Sequence, residues 1–66
     1  MNMTIRNRER LGGTGVKAEV LVGDTLACIA RWDGDAYSDI SLQPVDMGAL
    51  DQMGDAEELK ALLAAA

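Results

Sequence analysis

Two stretches of alternating apolar residues, separated by Gly23-Asp24, constrain this fold more than any other feature of the chain. In both stretches an apolar residue occupies every second position: Val16, Ala18, Val20 and Val22, then Leu26, Cys28, Ala30 and Trp32. This two-residue period is typical of half-buried strands. A loop of Gly23, Asp24 and Thr25 would put all eight on one face, whereas a two-residue loop would turn Arg31 onto it. The sequence therefore predicts a β-hairpin over Val16 to Trp32 with Val22 opposite Leu26.

The chain is short enough that its core must be thin. Its 66 residues form one domain at most, and a chain of this length buries only about 60% of the surface that it exposes when unfolded. Phenylalanine is absent, and Trp32 and Tyr37 are the only aromatic residues. We therefore expect a single domain over residues 1–66 whose core leaves no room for a ligand pocket of roughly several hundred cubic ångströms.

Two further strands are predicted outside the hairpin. Residues 1–15 are expected either as a mobile segment or as an edge strand, with three arginines on one solvent face: Arg6, Arg8 and Arg10. After the hairpin, Asp33-Gly34 indicates a tight turn, and Ile40 and Leu42 continue the alternation until Pro44 ends it. The sheet then has three or four antiparallel strands.

After Pro44 the spacing of apolar residues becomes helical. Asp46 is expected to cap a short helix with three inward residues: Met47, Leu50 and Met53. Asp55 opens a second helix, with Glu58 three residues later and a buried stripe of Leu59, Leu62, Leu63 and Ala66. We expect this stripe to meet the sheet at Val20, Val22, Leu26, Ile40 and Leu42. The fold class is therefore α+β, a small antiparallel β-sheet covered on one face by a C-terminal α-helix.

The sequence offers little with which to build a catalytic or metal site. Histidine is absent, and Cys28, the only cysteine, falls on the predicted apolar face, where a thiol behaves as a small hydrophobe. A calcium loop opening at Asp33 would need glycine at Ser38 and a bidentate acid at Pro44. Gly12-Gly13-Thr14-Gly15 is not followed by the Gly-Lys-Ser/Thr of a phosphate loop. We expect no enzyme activity, no catalytic residues, no metal and no cofactor.

Cysteine usage and hydropathy bear on the compartment. A single cysteine cannot form an intramolecular disulfide, which favours a reducing cytoplasm. No apolar run approaches the length of a membrane span, and the arginines near the start precede no apolar segment of a signal peptide. We therefore expect a cytoplasmic protein without a membrane partner.

Charge is distributed unevenly along the chain. Residues 1–31 carry five basic side chains against three acidic ones, whereas residues 32–66 carry Lys60 against eight carboxylates. These eight, the acidic set, are Asp33, Asp35, Asp39, Asp46, Asp51, Asp55, Glu57 and Glu58. Their sign disfavours direct binding of nucleic acid and favours binding to a protein whose basic surface grips nucleic acid. The acidic set is our candidate partner-binding site.

A short, acidic, single-domain chain with a compact sheet, one covering helix and no catalytic motif resembles the small phage-encoded anti-CRISPR proteins, some of which act as DNA mimics on Cas surveillance complexes. The resemblance is one of size, charge and order of elements over the whole chain, since those proteins share no motif. It implies a non-enzymatic inhibitor in the host cytoplasm that blocks target-DNA binding by a Cas effector subunit.

An alternative function comes from a different class of protein. The outer face of the hairpin is not fully polar, because Leu21 and Ile29 lie on it beside Lys17, Glu19, Ala27 and Arg31. These two residues would bury against a second copy in a structural or regulatory homo-oligomer, such as an antitoxin-like or phage assembly module. The chain is expected to be a monomer or a weak homodimer.

Overall fold

The computed structural model describes residues 3–65 and shows a four-stranded antiparallel sheet with two helices on one face. The elements are, in chain order, β1 (Met3–Arg10), β2 (Val16–Val22), β3 (Thr25–Trp32), β4 (Ser41–Pro44), α1 (Met47–Asp51) and α2 (Ala56–Ala64). The strands lie side by side in the order β1-β2-β3-β4. Helix α2 packs on β1 and β2, and α1 packs on β3 and β2. The predicted α+β fold is confirmed.

The hairpin has the predicted register along most of its length and a different one at its tip. Val16 lies opposite Trp32, Ala18 opposite Ala30 and Val20 opposite Cys28, as predicted. At the tip, however, Val22 lies opposite Thr25 around a two-residue turn in which Gly23 has a φ of 60°. A β-bulge reconciles the two registers, because the register shifts between Val20 and Leu21 and leaves Ala27 as an extra residue.

The bulge moves two side chains from the faces predicted for them. Leu26 lies opposite Leu21 on the outer face, whereas Ala27 is fully buried beside Val22 and Ala49 on the inner face. The Ala27 carbonyl accepts hydrogen bonds from the backbone N–H groups of Val45 (2.9 Å) and Asp46 (3.1 Å). The bulge therefore attaches the chain entering α1 to the middle of the sheet.

The main core lies between the sheet and α2. Leu59 and Leu63 are buried against inward residues of the first three strands: Met3, Val16, Ala18, Val20, Cys28, Ala30 and Trp32. Ile40 and Leu62 pack at the margin of this cluster, as predicted for both, and Ala66 lies outside the described residues. Three predicted partners of α2 are wrong. The bulge turns Leu26 outward, Leu42 remains 42% exposed at the free edge, and Val22 packs in a separate cluster with Ala27 and with Ala49 of α1.

Helix α1 is shorter than its pattern suggested and buries different residues. Leu50 and Met53 pack against the core as predicted. The prediction for Met47 is wrong: as the first residue of a five-residue helix it is 61% exposed, and Ala49 is buried in its place.

A second bulge divides β1 and separates its arginines. Arg6 lies opposite Glu19, and after a shift at Asn7, whose φ is 53°, Glu9 lies opposite Lys17. The Nε of Arg8 donates to the Leu63 carbonyl at 2.9 Å, which places Arg8 on the helix side of the sheet. The prediction of three arginines on one solvent face is therefore wrong, because the extra residue reverses the alternation.

The connection between β3 and β4 is longer than the tight turn predicted at Asp33-Gly34. It spans residues 33–40, which form successive turns and bends before Ser41 pairs with Arg31. This connection, the acidic loop, carries three members of the acidic set: Asp33, Asp35 and Asp39.

Candidate acidic interaction surface

The acidic loop is ordered by its own carboxylates. Asp33 Oδ1 accepts the backbone N–H of Asp35 at 2.8 Å, and Asp35 Oδ1 accepts that of Tyr37 at 2.9 Å. Aspartate is favoured in turns because its short side chain reaches the backbone two residues ahead. The Nε1–H of Trp32 donates to the Asp35 carbonyl at 3.0 Å, so the loop folds back over the end of the core.

Contacts with two other segments hold the acidic loop in place. The Thr14 hydroxyl donates to the Asp33 carbonyl at 2.6 Å. Lys60 Nζ, on α2, donates to the Ala36 carbonyl at 2.8 Å and lies 5.8 Å from the centroid of the Trp32 ring. A cation over an indole face is favourable. Lys60, the only basic residue after Arg31, therefore brings the acidic loop beside α2.

Two more members of the acidic set begin the helices. Asp46 Oδ1 accepts the N–H of Ala49 at 2.9 Å, and Asp55 Oδ1 accepts that of Glu58 at 2.9 Å. Both predicted N-caps are confirmed. Each satisfies a backbone donor that the first turn of a helix leaves without an intrahelical partner. Glu57 and Glu58 follow in the first turn of α2, where negative charge is also favourable.

The structure brings some of the acidic set together and separates others. The contact of Lys60 with Ala36 places the acidic loop next to the helix that begins with Asp55, Glu57 and Glu58. Asp46 lies towards the hairpin tip, where it lines a shallow hollow with Val22 and Thr25. None of the eight lies on a strand. They follow the loop and the two helices, so the carboxylates extend along the molecule and do not form one compact cluster.

All eight carboxylates belong to exposed residues, and none is neutralised by a close ion pair within residues 3–65. The one side-chain ion pair within 4.0 Å in that range joins Arg6 and Glu19 at 2.8 Å on the outer face of the sheet. The Asp35 N–H first, and then the Ser38 hydroxyl, hold the pKa of Asp33 below its ordinary value. Asp33 is therefore ionised at neutral pH.

The outer face of the sheet has a different character. Its charged side chains have both signs: Arg6, Glu9, Lys17, Glu19 and Arg31. Leu21, predicted to contact a second copy, is buried among its neighbours, and Ile29 is half-buried. Leu26, which the bulge brings to this face, is half-buried as well, so the apolar surface open to a second copy is that of Leu26 and Ile29.

A surface groove exceeds the pocket size that the thin core was expected to allow. It measures about 350 Å³ and lies among the β1–β2 connection, the end of β3, the acidic loop and the start of β4. Its lining residues are Leu11, Gly12, Gly15, Arg31, Trp32, Asp33, Asp39 and Ser41. The groove forms on the surface, where the acidic loop meets the end of the sheet. The size of the core does not limit it, because it lies between segments that are distant in the sequence. Among the described residues, no group of three or more histidine, cysteine, aspartate or glutamate side chains is placed to hold a metal ion.

Burial raises the pKa of the Cys28 thiol, and its Sγ lies 3.6 Å from Met53 Sδ in the core. A neutral buried thiol is a poor nucleophile.

Comparisons with protein-family models, curated proteins and solved structures give no match. Neither helix of residues 3–65 has the length and apolar character that crossing a bilayer requires. The function must be argued from the acidic surface itself.

Sequence reasoning did not anticipate the organising role of Lys60 or the exposure of Tyr37, which is 98% exposed at the turn of the acidic loop. A signal for each was available. Lys60 is the single cation among eight acids, and Tyr37 lies between two aspartates in a turn sequence. Neither signal indicates which backbone carbonyl the lysine contacts.

The Arg6–Glu19 pair makes stability depend on pH. Hydrogen bonds from Arg6, and then from Asn7, lower the pKa of Glu19 in the folded protein. A lowered folded pKa gives stability that is present above the unfolded value of about 4.3 and is lost as the pH falls through the folded value. We expect the urea midpoint to fall less between pH 7 and about pH 3 in Glu19→Gln than in the wild type. Glu9→Gln, outside the pair, is the control, and an equal change in both variants would contradict the prediction.

Proposed function

We propose that this protein is a non-enzymatic inhibitor whose acidic surface occupies a basic nucleic-acid-binding surface of a partner protein. The partner we propose is a Cas effector complex in the host cytoplasm, whose binding of target DNA the inhibitor blocks. The observation that carries the proposal is the acidic set: eight carboxylates of exposed residues, none in a close ion pair within residues 3–65.

The arrangement of these carboxylates suits them to replace phosphates. Lysine and arginine bind carboxylate oxygens much as they bind phosphate oxygens, through short charge-assisted hydrogen bonds. Because Asp33, Asp35, Asp46 and Asp55 are each fixed by a backbone N–H, little side-chain freedom remains to be lost on binding. The acidic surface therefore supports association with a cationic groove that is fast at low salt and weaker at high salt.

A target-binding assay tests the proposal directly. Purified, guide-loaded Cas effector complexes of several types are mixed with this protein and then with a fluorescent target duplex, and bound DNA is measured by anisotropy. We expect at least one complex to lose target binding in proportion to the added protein. The inhibition should weaken as the salt rises from ~0.05 to ~0.2 M, because the contacts are ionic.

Charge-reversal variants locate the surface responsible. Asp39 and Glu57 take no part in capping, so Asp39→Lys with Glu57→Lys changes the acidic surface while sparing the caps. The matched control reverses two exposed acids elsewhere, Glu9→Lys with Asp24→Lys, and has the same net charge. We expect the first pair to weaken inhibition by about tenfold or more and the control to weaken it far less. Equal effects, or a wild type that inhibits none of the complexes, would show the proposal to be wrong.

A further inference from the structure

Large apolar side chains are exposed in one part of the chain. Within residues 3–65 the large hydrophobic residues classed as exposed all fall between positions 37 and 47. Three of them form what we call the apolar strip: Leu42 is 42% exposed, Val45 53% and Met47 61%. Single exposed apolar residues are common on protein surfaces, but contiguous ones mark contact sites. Here three exposed large apolar side chains fall within six consecutive residues, which makes this segment the candidate contact site.

The apolar strip begins at the free edge of the sheet and ends at the start of α1. Leu42 is on β4, which has no neighbouring strand on its outer side, and Met47 is the first residue of α1. Leu42 and Met47 are five residues apart, so at most about 18 Å separates them, roughly the length of three turns of a helix. The apolar strip matches the footprint of a single short helical segment.

Addition of a strand to this edge is disfavoured by Pro44. The Val45 N–H points towards β3, where it donates to the Ala27 carbonyl. Because successive N–H groups of a strand alternate in direction, the preceding position would direct its N–H away from the sheet. Pro44 stands there and has no N–H to donate. The edge therefore lacks a donor that strand pairing would use, and contact must come through side chains.

The charge beside the apolar strip indicates whether its partner is acidic or basic. Asp46 lies between Val45 and Met47 in the chain, and its carboxylate is fixed at the start of α1 by the Ala49 N–H. In a symmetric dimer through the strip, the two Asp46 carboxylates would approach each other and repel. A partner with basic residues beside its apolar ones would instead gain both contacts.

We propose that the apolar strip docks an amphipathic cationic helix of a partner protein. The apolar face of that helix covers Leu42, Val45 and Met47, and a lysine or arginine residue of the helix contacts Asp46. The inference deepens the proposed function and rests on it for the class of partner, whereas the sign of the partner's charge follows from Asp46. It adds an apolar contact that persists at salt concentrations where the purely ionic contacts are screened.

The probe for this docking is a helical peptide of about 18 residues, built from leucine on one face and lysine on the other. A second peptide replaces every leucine with glutamine and keeps the charge. Backbone amide NMR of the protein is followed during titration at ~0.15 M salt. We expect the leucine peptide to bind at least about tenfold more tightly than the glutamine peptide, with the largest shifts at residues 42–47.

A double variant tests the apolar strip itself. Leu42→Gln with Val45→Gln changes exposed side chains and is expected to weaken binding of the leucine peptide by about tenfold or more. Tyr37→Gln, which removes another exposed large side chain outside the strip, is the control and should leave binding unchanged. The amide spectrum and urea midpoint of each variant verify that the fold is retained.

Several results would overturn the inference: equal binding of the two peptides, shifts confined to α2 and the acidic loop, unchanged binding by the double variant, or dimerisation of the wild type through the strip. Neither Cas complex nor DNA is present in this titration. A negative result here therefore leaves the inhibition assay to decide the proposed function, and absent inhibition leaves the peptide result intact.

Discussion

Replacing Leu63 with alanine is expected to lower the free energy of unfolding by about 2–5 kcal/mol. Leu63 is one of the largest fully buried side chains and sits in the main core between α2 and the sheet. Alanine removes its apolar contacts and leaves a cavity that the surrounding strands fill only partly. At about 0.05–0.15 kcal/mol per residue, a chain of 66 residues has roughly 3–10 kcal/mol of stability in total. The loss is therefore a large fraction of the total stability, and the urea midpoint of the variant should fall in proportion.

Urea unfolding followed by circular dichroism measures this loss, with Leu62→Ala as the matched control. Leu62 is the preceding residue of the same helix and undergoes the same chemical change, but it is half-buried at the margin of the core. Its loss should be much smaller than that of Leu63. Equal losses for the two variants would mean that α2 does not hold the sheet through Leu63.

The parts of the fold that were predicted correctly depend on local signals. The alternation of valines in β2 and the pairing of Val20 with Cys28 follow from a two-residue period that only a strand satisfies. Asp46 and Asp55 were identifiable as caps because an N-cap needs a short side-chain acceptor at one position of the chain. Such signals lie within a few residues of the structure that they determine.

The parts of the fold that were missed depend on turn length and strand register, which the local sequence does not determine here. Gly23-Asp24 suits both a two-residue turn and a longer loop, and alanine at position 27 is compatible with either face of the sheet. The bulge at Ala27 was therefore not visible in the pattern, and with it the outward position of Leu26 was missed. The bulge at Asn7 likewise moved Arg8 away from Arg6, although the sequence alternates without interruption there.

The candidate site was likewise predicted only in part from the sequence. The acidic set could be named from the sequence because charge needs no fold to be counted. Its arrangement could not, because the acidic loop is placed by contacts from distant residues, Thr14 to Asp33 and Lys60 to Ala36. The proposed surface therefore depends on a loop that is held in position by residues outside that loop.

That dependence can be tested at Gly34, where alanine is expected to displace the acidic loop. Gly34 has a φ of 89°, and a Cβ there would overlap the Thr14 carbonyl oxygen and lie 2.7 Å from the Thr14 hydroxyl oxygen. A positive φ alone costs an L-residue about 1–3 kcal/mol. The contact with backbone atoms adds to that cost, because it must be relieved by moving the loop away from Thr14. We expect Gly34→Ala to lower the urea midpoint clearly and to weaken inhibition of DNA binding.

Gly13→Ala is a control that separates the two causes. Gly13 also has a positive φ, 67°, but a Cβ there would meet nothing within 4 Å. Both variants therefore carry backbone strain, and only Gly34→Ala carries the steric conflict with Thr14. Gly34→Ala alone should lose the hydrogen bond from the Thr14 hydroxyl to the Asp33 carbonyl. Amide NMR of residues 33–40 detects this loss. If Gly13→Ala were equally destabilising and shifted the same amides, the close packing at Gly34 would not be what positions the acidic loop.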